Sequence, residues 1–344
     1  MKKHILKNIK RMGFDKVRDF IISPKGLIVM LHRVVPNPTS GGFSPNARWE
    51  VTPQQIEAFI REAWSLDFEF VDIDEAHRRL ISNDLFPDTK RFVCLTFDDG
   101  YTDTYKVAHE CCQSMGVPIT VYVTSGLIDR SSLAWWELLE RVIRDEKTLN
   151  FKNSAGEWDF HIDTDDRKLN AFSLLSSRIK ESPTLQRNEF IENLIQAGTK
   201  DALEDTKALF LTADELNEFA NSPGTVIGAH TRTHAKMRGL TEIELLEEVY
   251  IGTKNLAQII QRPVEHFAYP FGTEKDAGPR EYRAVKNAGF KTAVTTCHGV
   301  VQDRNRQQLC QLPRVGLFPT DDKIMHQLKL TGTTTIMRRI KAAA

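Results

Sequence analysis

The feature that most constrains this chain is a short apolar run that ends in two adjacent carboxylates. Residues 92–97 (FVCLTF) hold five apolar residues and one threonine, and Asp98, Asp99 and Gly100 follow directly. This composition is typical of a strand buried on both faces, as in the parallel sheets of α/β proteins. Successive side chains of a strand point to opposite faces, so both carboxylates can face one site only where the strand ends and the chain turns at the glycine. The run therefore predicts a buried parallel strand with acidic side chains at its carboxyl end.

A second apolar run ends in histidines in the same way. Residues 225–229 (TVIGA) are followed by His230 and, four residues later, by His234. Two imidazoles at this spacing can bind one metal ion, and zinc is commonly held by histidine nitrogen together with carboxylate oxygen. An Asp-Asp-Gly sequence after a strand is more often an ordinary turn, but histidines at a second strand end favour a metal site.

These residues resemble the polysaccharide deacetylases, the NodB-homology group of carbohydrate esterases. The resemblance is carried by residues 96–100 (TFDDG) and 230–234 (HTRTH), while the third motif of the family, Arg-x-Pro-Tyr, is matched only partly by residues 268–271 (AYPF). It covers about residues 26 to 317, apart from a long segment between the first two motifs. That segment implies an insertion.

The order of strand-like and helix-like segments predicts the fold class. Eight strand-like runs lie between residues 26 and 317, one of them at residues 68–73, and helical segments separate them. We expect an α/β fold, a distorted (β/α) barrel of seven or eight mostly parallel strands. Residues 125–221 are polar and helical, with a possible hairpin at residues 149–161, and we interpret them as an insertion over the barrel mouth. The 344 residues are expected to form a single domain, residues 1–344.

Charge and cysteine content narrow the class of protein. Lys plus Arg and Asp plus Glu number 46 each, which gives no electrostatic reason to expect a nucleic-acid partner. The five cysteines are odd in number and lack metal-type spacing, so we expect reduced thiols and a cytoplasmic protein. Ile5, Ile9 and Met12 recur at helical spacing beside basic residues. This N-terminal segment is expected either to pack on the barrel as an ordinary helix or to make peripheral contact with an anionic membrane.

The family resemblance implies a role for each polar strand end. Asp99, His230 and His234 would hold a divalent metal ion, with Zn²⁺ the expected ion. Asp98 would act as general base on the attacking water, and the backbone N–H of Phe271 would stabilise the oxyanion.

The general acid has two candidates. His32 ends the strand-like run at residues 26–31, and this arrangement resembles a permuted branch of the deacetylases in which the catalytic histidine comes from the first strand. His298 also follows a late strand and is the alternative. Because the first strand is unbroken, we expect His32 to be the acid.

Three further residues are expected at the site. Ala268 stands where many members of the family carry an arginine that orients the base, and Arg314 near the last strand is the candidate substitute. Tyr101 follows the aspartates, and Trp135 lies in the insertion, where it can either stack on a sugar ring or pack the insertion onto the barrel. We expect both to contact the substrate.

The sequence as a whole predicts a metal-dependent N-deacetylase whose substrate is an acetylated amino sugar of a bacterial surface polysaccharide or its precursor. Two alternatives stay open at this point. One is a carbohydrate-binding protein on a degenerate deacetylase barrel, and the other is a hydrolase of a non-sugar amide.

Overall fold

The computed structural model describes residues 24–39, 41–82, 90–154 and 156–343. Strands and helices alternate along most of this length. The strands are β1 Gly26–Leu31, β2 Arg33–Val34, β3 Glu50–Val51, β4 Glu69–Phe70, β5 Phe92–Asp99, β6 Ile119–Val123, β7 Thr148–Asn153, β8 Gly156–His161, β9 Thr225–Ala229, β10 His266–Ala268, β11 Thr292–His298 and β12 Leu312–Gly316. The α-helices are α1 Pro53–Ser65, α2 Ile73–Ile81, α3 Glu110–Ser114, α4 Ser125–Ile128, α5 Trp135–Asp145, α6 Asp165–Glu181, α7 Thr184–Ala197, α8 Lys200–Ala208, α9 Ala213–Ala220, α10 Glu242–Leu246, α11 Gly252–Ile260, α12 Pro279–Asn287, α13 Lys323–Leu330 and α14 Thr333–Ala343.

Shorter helical turns complete the described elements. A π-helical turn, Thr104–His109, leads into α3, and a second one, Glu247–Ile251, joins α10 to α11. The 3₁₀ turns are Pro45–Trp49, Asp303–Gln307 and Leu309–Gln311.

Seven parallel strands close into a barrel in the order β1, β12, β11, β10, β9, β6 and β5. Closure comes from β1, which pairs with β12 on one side and with β5 on the other. Strand β4 pairs with Phe92 and Val93 at the start of β5 and is an additional strand. The prediction of a distorted (β/α) barrel of seven or eight mostly parallel strands is therefore confirmed.

Strand β5 is buried along its whole length, as its apolar composition predicts. All eight of its residues are buried, including Asp98 and Asp99 at its end. The register with β6 continues through the second aspartate, which pairs with Val123. Because the strands are parallel, their carboxyl ends meet at one mouth of the barrel, so the ends of β1, β5 and β9 lie together there.

The predicted strand at residues 68–73 is shorter in the structure. Only Glu69–Phe70 pairs with β5, and helix α2 begins at Ile73. The side chain of Asp72 caps this helix by accepting a hydrogen bond of 2.8 Å from the Glu75 N–H. Capping by an aspartate fixes the start of a helix, so the strand ends three residues before the predicted run does.

The predicted insertion has its own apolar cluster. The hairpin of β7 and β8 packs with α5, α6 and α7, and the cluster is built around Leu138, Phe151, Phe172 and Phe190. Phe271, which follows β10 of the barrel, packs against this cluster. The insertion therefore contacts the barrel beside the mouth.

The N-terminal residues 1–23, including Ile5, Ile9 and Met12, lie outside the described residues, so the membrane-contact hypothesis stays a prediction. Among the described helices, none has the length and apolar character needed to cross a bilayer. All five cysteines lie in the described ranges, and none of them forms a disulfide.

Candidate active site

One carboxylate and two imidazoles converge at the barrel mouth. Asp99 ends β5, and His230 and His234 belong to the loop after β9. The Oδ1 atom of Asp99 lies 3.5 Å from His230 Nε2 and 3.3 Å from His234 Nε2. The structure thus brings together the three residues expected to bind metal, and all three are buried.

The neighbours of the two imidazoles fix their orientation. His230 Nδ1 lies 2.8 Å from the backbone oxygen of Ala268. A carbonyl only accepts hydrogen bonds, so Nδ1 carries the proton and the Nε2 lone pair faces Asp99. The ring of His234 packs against Trp136 and Phe271, with centroid distances of 4.6 Å and 4.8 Å. Both rings are therefore held as ligands would be.

The backbone at this mouth adopts left-handed conformations without glycine. The φ angles are 78° at Asp99, 63° at Thr231, 55° at His234 and 59° at Phe271. Such conformations cost free energy for residues with a Cβ, and they persist where the surrounding structure enforces them, commonly at functional sites. Here they turn the Asp99 and His234 side chains toward one point.

The donor set fits a divalent metal ion. Within the residues that the structure describes, Asp99 Oδ1 is buried and makes no hydrogen bond. Burial, with the negative charge of Asp98 nearby, raises the pKa of Asp99 well above its usual value, and a bound cation would offset this. A tetrahedral zinc ion with bonds of about 2.0–2.1 Å holds neighbouring ligand atoms about 3.3–3.4 Å apart. The observed distances of 3.3 Å and 3.5 Å agree with that spacing.

Asp98 forms a buried, bidentate ion pair with Arg314. Both carboxylate oxygens accept hydrogen bonds of 2.7 Å from the guanidinium. Arg314 is itself fixed, because it donates to the hydroxyl of Thr96 at 3.1 Å and to the backbone oxygen of Thr295 at 3.0 Å. Although burial opposes ionisation, the positive charge and the hydrogen bonds of Arg314 hold the pKa of Asp98 at about 2. Asp98 is therefore ionised and oriented at neutral pH.

The arginine that pairs with Asp98 does not lie on the same strand as Ala268. Ala268 is on β10, whereas Arg314 is on β12, next to β1 in the barrel. The guanidinium of Arg314 reaches Asp98 across the interior of the barrel, where it is 1% exposed. A long side chain on one inward-facing strand thus orients the end of another.

The two candidate acids lie in different places. His32 follows β1 and lines the same cavity as Asp98, Asp99, His230 and His234. Its ring packs against Trp49 at a centroid distance of 4.6 Å, and burial lowers its pKa to about 4. His298 lines a separate groove, where its Nε2 lies 2.9 Å from the hydroxyl of Thr334. The structure thus places His32, and not His298, beside the candidate metal ligands.

Tyr101 and Trp135 both line the cavity but are largely buried. The Tyr101 hydroxyl accepts a hydrogen bond from Trp136 Nε1 and donates one to Glu137, each 2.8 Å long. Trp135 is 5% exposed and belongs to the apolar cluster of the insertion. Of the two roles considered for Trp135, its burial in this cluster agrees with packing of the insertion rather than with stacking on a sugar ring. Tyr101 ties the insertion to the end of β5.

The cavity has a volume of about 510 Å³, within the usual range for small-ligand sites. The barrel supplies the polar groups on its floor, and the insertion supplies part of the wall, including Trp136, Phe172 and Lys180. Phe271 lies between the two, and its N–H makes no hydrogen bond to another described residue. A polar floor under an aromatic wall suits a ligand of the size of a sugar residue.

Sequence reasoning missed Glu248, which holds the loop between His230 and His234. Its carboxylate accepts hydrogen bonds from the N–H of Arg232 at 2.9 Å and of Thr233 at 2.8 Å, and from the Thr233 hydroxyl at 2.6 Å. Glu248 lies on the π-helical turn between α10 and α11, and it is buried. Nothing in the sequence distinguishes it from the exposed Glu247 beside it.

Glu248→Ala is expected to weaken metal binding by about 10- to 100-fold, the usual effect of removing a group that orients ligands. The loop between His230 and His234 would lose three hydrogen bonds and could relax from its left-handed conformations. Glu248→Gln should retain most of the affinity, since its amide oxygen can still accept. Titration of the metal-free proteins with Zn²⁺, with Glu247→Ala as the matched control, measures the effect. Equal affinities for Glu248→Ala and Glu247→Ala would contradict this role.

Comparisons with known proteins give one family match and several solved structures of similar fold. The polysaccharide deacetylase family model matches residues 87–155 and 174–293, more than half of the chain. The comparison with curated proteins gives no match. The Streptococcus pyogenes deacetylase PplD in complex with acetate is 17% identical, with a TM-score of 0.56 over 88% of this chain and 97% of that chain. IcaB from Ammonifex degensii is 16% identical, with a TM-score of 0.56 over 90% of this chain and 98% of that chain.

A de-N-acetylase from Aggregatibacter actinomycetemcomitans is also similar. It is 11% identical, with a TM-score of 0.56 over 89% of this chain and 99% of that chain. At these identities the solved structures show a shared fold only.

Proposed function

Because this chain belongs to the polysaccharide deacetylase family, a family of carbohydrate-acting hydrolases, we propose that it removes the N-acetyl group from an amino sugar of a bacterial surface polysaccharide or its precursor. The observation that carries the proposal is the convergence of Asp99, His230 and His234 with the Asp98 to Arg314 ion pair in one cavity. The de-N-acetylase with a similar fold supports the choice of an N-acetyl group.

Asp99, His230 and His234 would hold the divalent ion, for which Zn²⁺ is the proposed identity. When bound, such an ion lowers the pKa of a coordinated water and polarises a carbonyl oxygen. Burial lowers the pKa of both His230 and His234, which favours the neutral form that binds metals.

Asp98 would accept the proton of the attacking water. Its low pKa keeps it ionised, and Arg314 directs its carboxylate toward the cavity. Each oxygen bonded to the guanidinium keeps a second lone pair, so the ion pair does not prevent proton transfer. The Phe271 N–H would donate to the oxygen of the tetrahedral intermediate.

His32 would deliver a proton to the departing nitrogen. Hydrolysis adds one water across the C–N bond, so the water oxygen enters the acetate and the free amine gains a proton. With a pKa of about 4, His32 is unprotonated in the free protein at neutral pH. The proton released by the attacking water supplies what His32 must pass to the amine, and this keeps the reaction balanced.

His32→Ala is expected to keep its metal and to lose hydrolysis by about a hundredfold, within the usual effect of removing an acid-base group. His298→Ala should change the rate little, since it lies in a separate groove. Acetate release and metal content of both variants measure this. An active His32→Ala protein beside an inactive His298→Ala protein would assign the acid to His298.

The proposed function itself is tested by metal analysis together with acetate release from acetylated amino-sugar oligomers. The metal-loaded protein should release acetate and expose free amines, and a chelator should stop the reaction. Binding of the oligomers without acetate release would favour the carbohydrate-binding alternative. Turnover of acetylated lysine peptides in preference to the sugars would favour the non-sugar amide.

A further inference from the structure

The charged side chains around the cavity are mostly neutralised by neighbours. Arg33 donates to Asp103 at 2.9 Å and to Glu50 at 3.1 Å. The Nζ atom of Lys180 lies 2.7 Å from Oδ1 of Asp276. Asp98 is balanced by Arg314, as described above. These pairs leave little net attraction for a charged ligand.

Arg48 also lines the cavity, but its charge is not neutralised by a carboxylate among its described neighbours. It is exposed and, within the described ranges, forms no ion pair with a carboxylate. Its guanidinium lies over the Trp49 ring, 4.9 Å from the centroid. The His32 ring also packs against Trp49, at a centroid distance of 4.6 Å, so the guanidinium and the candidate acid share this aromatic neighbour. A guanidinium without an ion pair among the described residues therefore lines the cavity beside the residues that pack around the candidate acid.

The backbone that carries Arg48 is fixed by the insertion. Arg48 lies on the 3₁₀ turn Pro45–Trp49, where the Asn46 N–H donates to Glu140 at 2.8 Å. The Asn46 side chain also donates to the backbone oxygen of Trp136 at 3.0 Å. Because the turn is anchored to helix α5, the position of Arg48 is set before a ligand arrives, which reduces the ordering cost of binding.

We propose that Arg48 forms an anion subsite, which binds a phosphate or carboxylate group on the substrate close to the acetylated amino sugar. A planar guanidinium suits bidentate recognition of either group. The inference rests on the proposed function and narrows its substrate class from acetylated amino sugars in general to those that carry, or adjoin, an acidic group. A neutral polymer such as a chitin oligomer lacks the group that Arg48 would bind.

The test is equilibrium binding to the metal-free protein, measured by calorimetry. The probes are N-acetylglucosamine 1-phosphate, the methyl glycoside of N-acetylglucosaminuronic acid, and neutral methyl N-acetylglucosaminide. The wild-type protein should bind at least one anionic probe about 10- to 100-fold more tightly than the neutral one, as a charge-assisted hydrogen bond predicts. Preference between the two anionic probes distinguishes phosphate from carboxylate.

Arg48→Gln should bind the anionic probes only as well as the neutral probe, while its affinity for the neutral probe stays unchanged. The matched control is Arg61→Gln, which removes an exposed arginine of helix α1 outside the cavity. Equal affinity of the wild type for anionic and neutral probes would overturn the subsite. So would unchanged anionic affinity in Arg48→Gln.

The subsite and the proposed function fail in different ways. If the metal-loaded protein released no acetate from any probe but showed the expected binding pattern, the deacetylase function would be wrong and the subsite would stand. If it deacetylated neutral and anionic probes with the same kcat/KM, and Arg48→Gln did likewise, the function would stand and the subsite would be wrong.

Discussion

His230→Ala is expected to yield a folded protein that retains no metal and releases no acetate. The substitution removes one of the three proposed ligand atoms, and the candidate cluster contains no fourth His, Cys, Asp or Glu among the described residues. It also removes the hydrogen bond to the Ala268 carbonyl. The barrel core is unaffected, because His230 lies at the mouth, beyond the end of β9. Metal content by mass spectrometry, acetate release and circular dichroism together measure the effect.

The matched control for this prediction is His161→Ala, which removes an exposed histidine of the hairpin in the insertion. It should retain both metal and activity. Asp99→Ala should behave like His230→Ala. If His230→Ala protein kept a full equivalent of zinc, the assignment of the metal site would be wrong.

Asp98→Asn is expected to bind metal as the wild type does and to lose about 100- to 10,000-fold in kcat, the usual contribution of a general base. The amide cannot accept the proton of the attacking water. It also loses one of the two charge-assisted hydrogen bonds to Arg314, since its NH₂ group faces a guanidinium that only donates. Steady-state kinetics of the zinc-loaded variant and its metal content are the measurements.

The contrast with Asp99→Asn makes this prediction specific. That variant should lose metal and activity together, because an amide is a poor ligand for a buried zinc ion. Arg314→Met offers a further comparison, since it removes the guanidinium and leaves the Asp98 carboxylate buried without its partner. We expect it to lower kcat and also to destabilise the protein. Equal metal loss in Asp98→Asn and Asp99→Asn would show that both aspartates are ligands.

The sequence by itself predicted the barrel and which strand ends carry chemistry. Both follow from local properties, because short apolar runs that alternate with helical segments are typical of a parallel sheet, and parallel strands bring their carboxyl ends together. The prediction at residues 68–73 was too long because an N-cap at Asp72 is a local competitor that the apolar pattern conceals. The family resemblance came from the same strand ends, and the family match supports it.

Tertiary structure alone decided how the remaining side chains meet. Sequence favoured His32 over His298 as the acid, although both end a strand. Only closure of the barrel places β1 beside β5, while His298 lies in another groove. The guanidinium of Arg314 reaches Asp98 from more than 200 residues away in the chain, and Glu248 contacts the loop between His230 and His234 from a neighbouring helical turn. Such contacts join side chains of different elements, so their partners depend on register and closure, which local patterns do not encode.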